Sequence, residues 1–517
     1  MEAKEISLQD LLAGTDWAAA KCEPAADFLA KDRPIRVVYD SRQAGRNCLF
    51  VAMEGLTVDG HRYCSQAYES GCRLFLVNQP VDLPPDALVF TVENTRAALP
   101  IVAANFFDHP AKELRLIGIT GTKGKTTTCL ALAKILNDTG HPAASIGTEG
   151  AIFGDLHIET GLTTPESFEL QSYLRTFADA GARYAVMEVS STGLKFHRTD
   201  GLRFEYGIFT NFASDHVGRL EHPSLEDYRD SKARFFGLCD TVLINRDDAL
   251  ADYFADFATG KIIFYSCAAD AAAGVAAGEP EGPDIYADRI QTVREEDGGF
   301  RTSMLAHLPE EYAVSFPLLG RFNAENILPA MAVALRLGLA PDAVCQSLKN
   351  LFVPGRTEVL NDYPGVLILN DIAHNGLSID RLLGEMRPFV KPGSRLMVLL
   401  STISYRTDIR RKDMAEAAAG KADVIMLSTS WVGHEDPNDL IEDMASYLTD
   451  FKGLILKEPD RRKAVEQLIN LAEPGDAILL SELGPDNYLL IGNEKIPYTD
   501  KEAVKAACQK KLASEEV

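Results

Sequence analysis

The sequence predicts an α/β protein of three domains, built on mostly parallel, doubly wound sheets. Three observations carry that expectation. A chain of 517 residues has room for three domains at about 150 residues each. Short apolar runs alternate with helical stretches along most of its length. Two breaks, His109-Pro110 and Pro354-Gly355, interrupt the alternation. The boundaries are therefore placed at 1–111, 112–353 and 354–517: an N-terminal α/β domain, a central domain and a Rossmann-like C-terminal domain.

In the first domain the runs at 35–39, 48–52, 74–77 and 88–91 read as strands and 97–107 as a helix. The central domain opens on a strongly apolar strand at 114–119. Further buried-type strands follow at 184–189, 206–209, 241–244 and 261–264, with helices at 126–137, 167–179 and 225–236. Residues 268–284, rich in Ala, Gly, Pro and Glu, read as a surface loop. Helices at 323–337 and 341–349 close this domain. Beyond a hinge at Pro354-Gly355, strands at 366–370, 395–400, 423–427 and 477–480 are separated by helices.

Composition narrows the function classes. With 52 Lys+Arg against 75 Asp+Glu the net charge is −23, which argues against nucleic acid as the main partner. A small phosphorylated ligand needs only a local electropositive pocket and stays open. No apolar run reaches the ~18 residues of a membrane span. The N-terminal Met-Glu-Ala-Lys-Glu lacks the build of a secretory signal, so a cytoplasmic location is expected. Nine scattered cysteines, none in a C-x-x-C pair, fit reduced thiols better than disulfides or a zinc site.

The strongest motif is Gly118-Ile-Thr-Gly-Thr-Lys-Gly-Lys-Thr-Thr-Thr128, directly after a strand and leading into a helix. Gly121 and Gly124 allow backbone N–H groups to turn inward around phosphate oxygens. Lys125 brings a positive charge, Thr126 can ligate Mg²⁺, and the helix N-terminus adds its dipole. Strict G-x-x-x-x-G-K-[ST] spacing fails, because its first position is Ile119. A ligand-free glycine-rich turn is the alternative, and the Lys-Thr pair in its strand–loop–helix setting weighs against it. A second acid-bearing segment, Met187-Glu-Val-Ser-Ser191, ends a buried strand, where a solvated acid is the alternative to a cation ligand.

The T-G-T-x-G-K-T variant resembles the Mur ligases, the ATP-dependent amide-forming enzymes of peptidoglycan synthesis. The likeness runs over essentially the whole chain. It is closest to the enzymes that add the third residue to UDP-N-acetylmuramoyl-L-Ala-D-Glu. The resemblance implies that Gly121, Thr122, Lys123, Gly124, Lys125, Thr126 and Thr127 hold ATP. Asn323 and Asn326 would meet the base, Asp371 the ribose, and Arg356 would reach ATP across the hinge. It implies two Mg²⁺ ions on Thr126, Glu188, His216 and a carbamylated Lys232, with Lys125, Glu188, His216, Lys232 and Arg356 as the catalytic set. On its residues alone, Lys232 would be an ordinary exposed helix lysine.

Ser41, Arg42, Thr163, Thr164, Ser190, Arg198, His374 and Asn375 match the family's substrate contacts. Without that match, Asp40-Ser-Arg42 could equally be a turn closed by a local ion pair. The third domain departs from the pattern. Where diaminopimelate-adding enzymes carry Asp-Asn-Pro-Arg, this chain has Ser430-Trp-Val-Gly433, so the arginine carboxylate clamp is missing. A Gly-rich strand end reads Ser-Thr-Ile-Ser-Tyr-Arg-Thr-Asp at 401–408, although Arg410, Arg411 and Asp413 fit. A Gly-Lys-Gly segment reads Glu482-Leu-Gly-Pro-Asp486.

The expected function is an ATP- and Mg²⁺-dependent ligase, acting through an acyl phosphate as a monomer. Its substrates would be UDP-MurNAc-L-Ala-D-Glu and a free amino acid, L-lysine or a similar diamino acid. A paralogous ligase for another carboxylate, and a nucleotide-binding scaffold without ligase activity, are the competing readings.

Overall fold

The strand Arg115–Thr120 shows why the central sheet forms. Its alternating side chains send Leu116 to one face and Ile117 and Ile119 to the other, and both faces are buried. A strand apolar on both sides belongs in a parallel sheet covered by helices on each face. The computed structural model describes residues 3–19, 26–55, 58–215, 218, 221–269, 271, 283–296, 298–360, 363–404 and 408–515.

That sheet has eleven strands. Seven parallel strands form its middle, from Ala143–Gly147 through Tyr184–Glu188, Arg115–Thr120, Phe204–Phe209, Cys239–Asn245 and Lys261–Ser266 to Ile285–Arg294. One face is covered by the helices Lys125–Asp138 and Arg321–Arg336, the other by Ser167–Asp179 and the segment around Phe235. Antiparallel strands extend both edges: Gly150–Phe153 and Leu156–Ile158 on one side, Phe300–His307 and Glu311–Phe316 on the other. The sequence reading gave no strand between 285 and 316. Ile285–Arg294 buries only its first residues and alternates polar side chains afterwards, so its apolar signal is short. The expected surface loop at 268–284 lies largely outside the described residues. The helix expected at 225–236 ends at Ala233 and continues as a 3₁₀ turn, Arg234–Leu238.

The first sheet has six strands, ordered Lys4–Ile6, Arg33–Val38, Cys48–Val51, Leu74–Val77, Leu88–Thr91 and Ala18–Ala19, with the inner four parallel. The third has eight strands around parallel Leu367–Asn370, Ala477–Leu480, Leu396–Ile403 and Val424–Val432. Aromatic contacts join the units. Phe106 and Phe107 of the first lie 5.4 and 5.0 Å from Phe168 of the second, and Phe300 of the second lies 4.9 Å from Phe389 of the third. Burial of Phe106, Phe168 and Phe300 is worth about 1.5–3 kcal/mol each.

Where the strands of the third sheet end, a buried ion pair fixes the loops. Arg461 and Asp500 are both fully buried and meet at 2.6 Å. Arg461 Nη2 also donates to Ser481 O (2.9 Å), Nη1 donates to Ser401 Oγ, and Tyr498 OH donates to Asp500 Oδ1 (2.8 Å). No helix among the described residues is long and apolar enough to cross a membrane. The described cysteines are free thiols, all buried except the partly exposed Cys345.

Candidate active site

Strand Arg115–Thr120 runs into a tight turn that feeds the helix Lys125–Asp138. Gly124 has φ +88°, and a Cβ there would stand 2.0 Å from Asn326 Oδ1, so the position admits no side chain. The neighbouring strand exit holds the turn. Thr122 N donates to Asn211 O (2.8 Å), Lys123 N to Asn211 Oδ1 (2.9 Å) and Thr210 Oγ1 to Lys123 O (2.6 Å). The first turn of the helix presents N–H groups that have no intrahelical acceptor, an arrangement suited to an anion.

Two lysines converge on one carbonyl beneath this loop. Lys125 Nζ donates to Gly121 O at 2.9 Å and Lys232 Nζ to the same oxygen at 3.0 Å. Lys232 is only 1% exposed. Burial first, and then the charges of Lys125 and Lys123, hold its amine well below the ordinary lysine range, with Asp215 opposing. Lys125 is also lowered by burial, with Glu188 and Asp215 opposing. The reading of Lys232 as an exposed helix lysine is therefore corrected: its helix, Leu225–Ala233, turns that side chain under the phosphate loop.

Glu188 ends its strand buried, 2% exposed, and accepts from Thr148 N at 2.9 Å. Thr164 is completely buried and bridges backbone: Oγ1 donates to Glu188 O (3.0 Å) and accepts from Ser190 N (2.9 Å). Ser190 Oγ accepts from Gly193 N (3.0 Å), capping the helix Ser191–Lys195. Thr164 and Ser190, expected as substrate contacts, thus also shape the strand end that carries Glu188. Thr163 Oγ1 lies 3.2 Å from Thr148 Oγ1. His216 lies outside the described residues.

The third unit reaches the loop directly. Arg356 Nη2 donates to Thr126 Oγ1 at 3.2 Å. Lys123 Nζ lies 2.7 Å from His374 Nε2 and 3.2 Å from Asp215 Oδ2, to which Asn375 Nδ2 also donates (2.8 Å). His374 Nδ1 is 2.8 Å from Ile372 O, which places its proton there and leaves Nε2 to accept from Lys123. Burial, with Lys123 and Arg410 nearby, holds this imidazole well below its ordinary pKa and hence neutral. Lys123 is itself lowered to about 8 by burial, with Asp215 opposing.

A cleft opens beside these groups. Lys123, Gly124, Thr126 and Thr127 form its floor, Asn323 and Asn326 one side, and Arg356 and Asp371 the other. Both Asn residues are buried, and Asn326 Nδ2 donates to Asn323 Oδ1 (3.3 Å). Asp371 accepts from Thr357 N (2.7 Å) and Ala373 N (2.8 Å), which ties the segment after the hinge to the third sheet. Asn211, Phe322 and Arg381 also line the cleft. The sequence reading gave them no role.

A second recess opens on the first unit and is lined by Tyr39, Ser41, Arg42, Arg96 and Glu166 among others. Asp40 caps a 3₁₀ turn and pairs with Arg42 at 2.6 Å, so the local ion pair exists and also borders the recess. Ser41 Oγ donates to Gln66 Oε1 (3.0 Å). Arg198 Nη2 meets Glu166 Oε1 at 2.8 Å and Nη1 donates to Thr164 O at 3.1 Å, linking the recess to the strand end.

Three family models cover this architecture in order. Residues 36–113 match the Mur ligase family catalytic domain, 119–334 the Mur ligase middle domain, and 355–481 the Mur ligase glutamate ligase domain. A 2,6-diaminopimelate ligase of UDP-N-acetylmuramoyl-L-alanyl-D-glutamate from Geobacillus thermodenitrificans is 30% identical over 92% of this chain and 95% of its own. The chain belongs to the Mur ligase family. Membership makes it an ATP-dependent amide ligase. A same-named Aquifex aeolicus ligase is 32% identical over 91% of this chain and 92% of its own.

Solved structures share the fold of this Mur ligase. A UDP-N-acetylmuramoyl-L-alanyl-D-glutamate–2,6-diaminopimelate ligase superposes with a TM-score of 0.65 at 24% identity, covering 98% of this chain and all of that one. Thermotoga maritima MurF, solved with ADP, gives 0.60 at 18% identity over 93% and 98% of the two chains.

Proposed function

We propose that this Mur ligase joins a diamino acid to the D-Glu carboxylate of UDP-MurNAc-L-Ala-D-Glu, using ATP and forming an acyl phosphate on the way. One observation supports it above the others: the nucleotide cleft is walled jointly by the phosphate loop and the third unit, with Arg356 on Thr126 and His374 on Lys123. An acyl phosphate is lost to water unless the site that forms it also presents the amine. A cleft closed by both units serves that need.

Lys125 and the helix N–H groups bind the phosphates, and Arg356 adds a cation at their terminal end. The D-Glu carboxylate attacks the γ-phosphorus and ADP leaves. The amine then attacks the acyl carbon, inorganic phosphate leaves, and the amine's proton passes to solvent or a neighbouring base. The donor set fits a hard cation. Thr126 hydroxyl and buried Glu188 carboxylate would supply oxygen ligands, His216 would be a further ligand by the family resemblance, and Lys232 would supply a third oxygen donor as its carbamate. Magnesium, when bound, neutralises charge on the transferring phosphoryl group.

The relatives named above add 2,6-diaminopimelate. Gly433 stands where that specificity calls for an arginine, which favours L-lysine or another diamino acid without a second carboxylate. A screen of phosphate release with UDP-MurNAc-dipeptide, ATP, Mg²⁺ and a panel of amino acids decides it. Release with L-lysine and not with diaminopimelate is expected. Release with no amino acid would sink the ligase reading and favour a silent scaffold.

A further inference from the structure

Helix Arg321–Arg336 brings Asn323 and Asn326 to the nucleotide cleft, yet it begins without a cap of its own. Its N-cap position is Gly320, at φ +91°, which has no side chain to accept from the first turn. Nor is there room for one, because a Cβ on Gly320 would stand 2.8 Å from Glu385 Cδ. Glu385 caps the helix instead. It belongs to the helix Gly376–Met386 of the third unit, and its Oε1 accepts from Arg321 N at 2.9 Å. A carboxylate at this end also suits the positive end of the helix dipole.

A second contact runs alongside. Arg381 Nη1 meets Glu325 Oε2 at 3.1 Å, and Arg381 itself lines the cleft. Arg321 and Glu325 lie one turn apart on one helix, and Arg381 and Glu385 one turn apart on the other, so each helix turns one row of residues to its partner. From the capped end the hydrogen bonds lead inward. Asn323 N donates to Gly320 O (3.1 Å) and Asn323 Nδ2 to Leu319 O (2.8 Å), while Asn326 Nδ2 donates to Asn323 Oδ1 (3.3 Å). Thr128 Oγ1 donates to Asn326 O (3.1 Å), which ties the same helix to the one that follows the phosphate loop. The third unit thus fixes the start of this helix, and the helix start fixes two buried amides that face the cleft.

We propose that Glu385 is a positioning residue for the nucleotide: by capping helix Arg321–Arg336 from the third unit, it sets Asn323 and Asn326 where they read the base. The assignment rests on the ligase reading and deepens it. Base recognition and docking of the third unit become one event, because the carboxylate that orders the base-facing helix arrives with the unit that closes the cleft. When that unit moves away, the first turn loses its cap and the base loses ordered partners.

Hydrogen exchange and calorimetry on the full-length protein, with Glu385→Ala and Glu385→Gln, test the cap. Alanine favours the helix that carries position 385, so that variant folds, and glutamine keeps an acceptor oxygen. In nucleotide-free Glu385→Ala the amides at 320–323 exchange about fivefold faster than in wild type, the factor one lost cap gives, and in Glu385→Gln they stay within about twofold. Titrations of ADP and inosine diphosphate, which differ only in the base, supply the second arm. Wild type favours ADP by about tenfold, Glu385→Ala binds ADP about fivefold more weakly and loses most of that preference, and Glu385→Gln restores both. If Glu385→Ala weakens the two nucleotides alike and their ratio stays at the wild-type value, the role is merely structural and the proposal is overturned. Unchanged exchange at 320–323 in Glu385→Ala overturns it as well. If wild type binds neither diphosphate, the ligase reading fails, and exchange at 320–323 still decides the cap by itself.

Discussion

Lys125 and Lys232 donate to the same acceptor, Gly121 O, at 2.9 and 3.0 Å. Two ammonium groups so placed repel, and the fully buried one gives up its proton more readily. A neutral amine is the form that adds CO₂. Incubation with ¹³C-bicarbonate should therefore give a carbamate carbon resonance that Lys232→Arg abolishes. Lys232→Met should fold yet lose at least about 100-fold in turnover, about 2.7 kcal/mol of barrier.

Lys123 titrates near 8 and faces Asp215, His374, Arg410 and Lys125. Its charged form is the one that attracts phosphate, so ADP affinity is full below that pH and falls as the proton leaves above it. Calorimetry between pH 7 and 9.5, where the ADP phosphates stay ionised, should show this decline. Lys123→Met should bind more weakly with little pH dependence.

Gly124 combines φ +88° with contact against Asn326. Gly124→Ala should cost about 1–3 kcal/mol in backbone strain, in addition to the overlap with Asn326. ADP binding should fall at least tenfold, as read by titration.

The phosphate loop was legible because its chemistry is local: Gly121, Gly124, Lys125 and Thr126 lie within six residues and carry their strand and helix with them. The surroundings of Lys232 were not. Nothing in Tyr228-Arg-Asp-Ser-Lys232 shows that its helix packs under a loop more than a hundred residues earlier. Thr164 is a substrate contact only by the family resemblance, and its hydroxyl shared between two backbone groups needed coordinates. The antiparallel strands after residue 285 were missed because edge strands carry polar alternation in place of apolar runs.

Arg461 and Asp500 form a buried pair with no exposure on either side chain. Asp500→Asn leaves the guanidinium's charge uncompensated and should destabilise the fold by about 3–5 kcal/mol in denaturant titration.

The most direct test of the central claim is the mass of the nucleotide-sugar product. After incubation of the full-length protein with UDP-MurNAc-L-Ala-D-Glu, ATP, Mg²⁺ and L-lysine, the substrate should gain the mass of one lysine less one water. One phosphate should be released for each product formed. An unchanged substrate mass across L-lysine, diaminopimelate and the remaining amino acids would contradict the account.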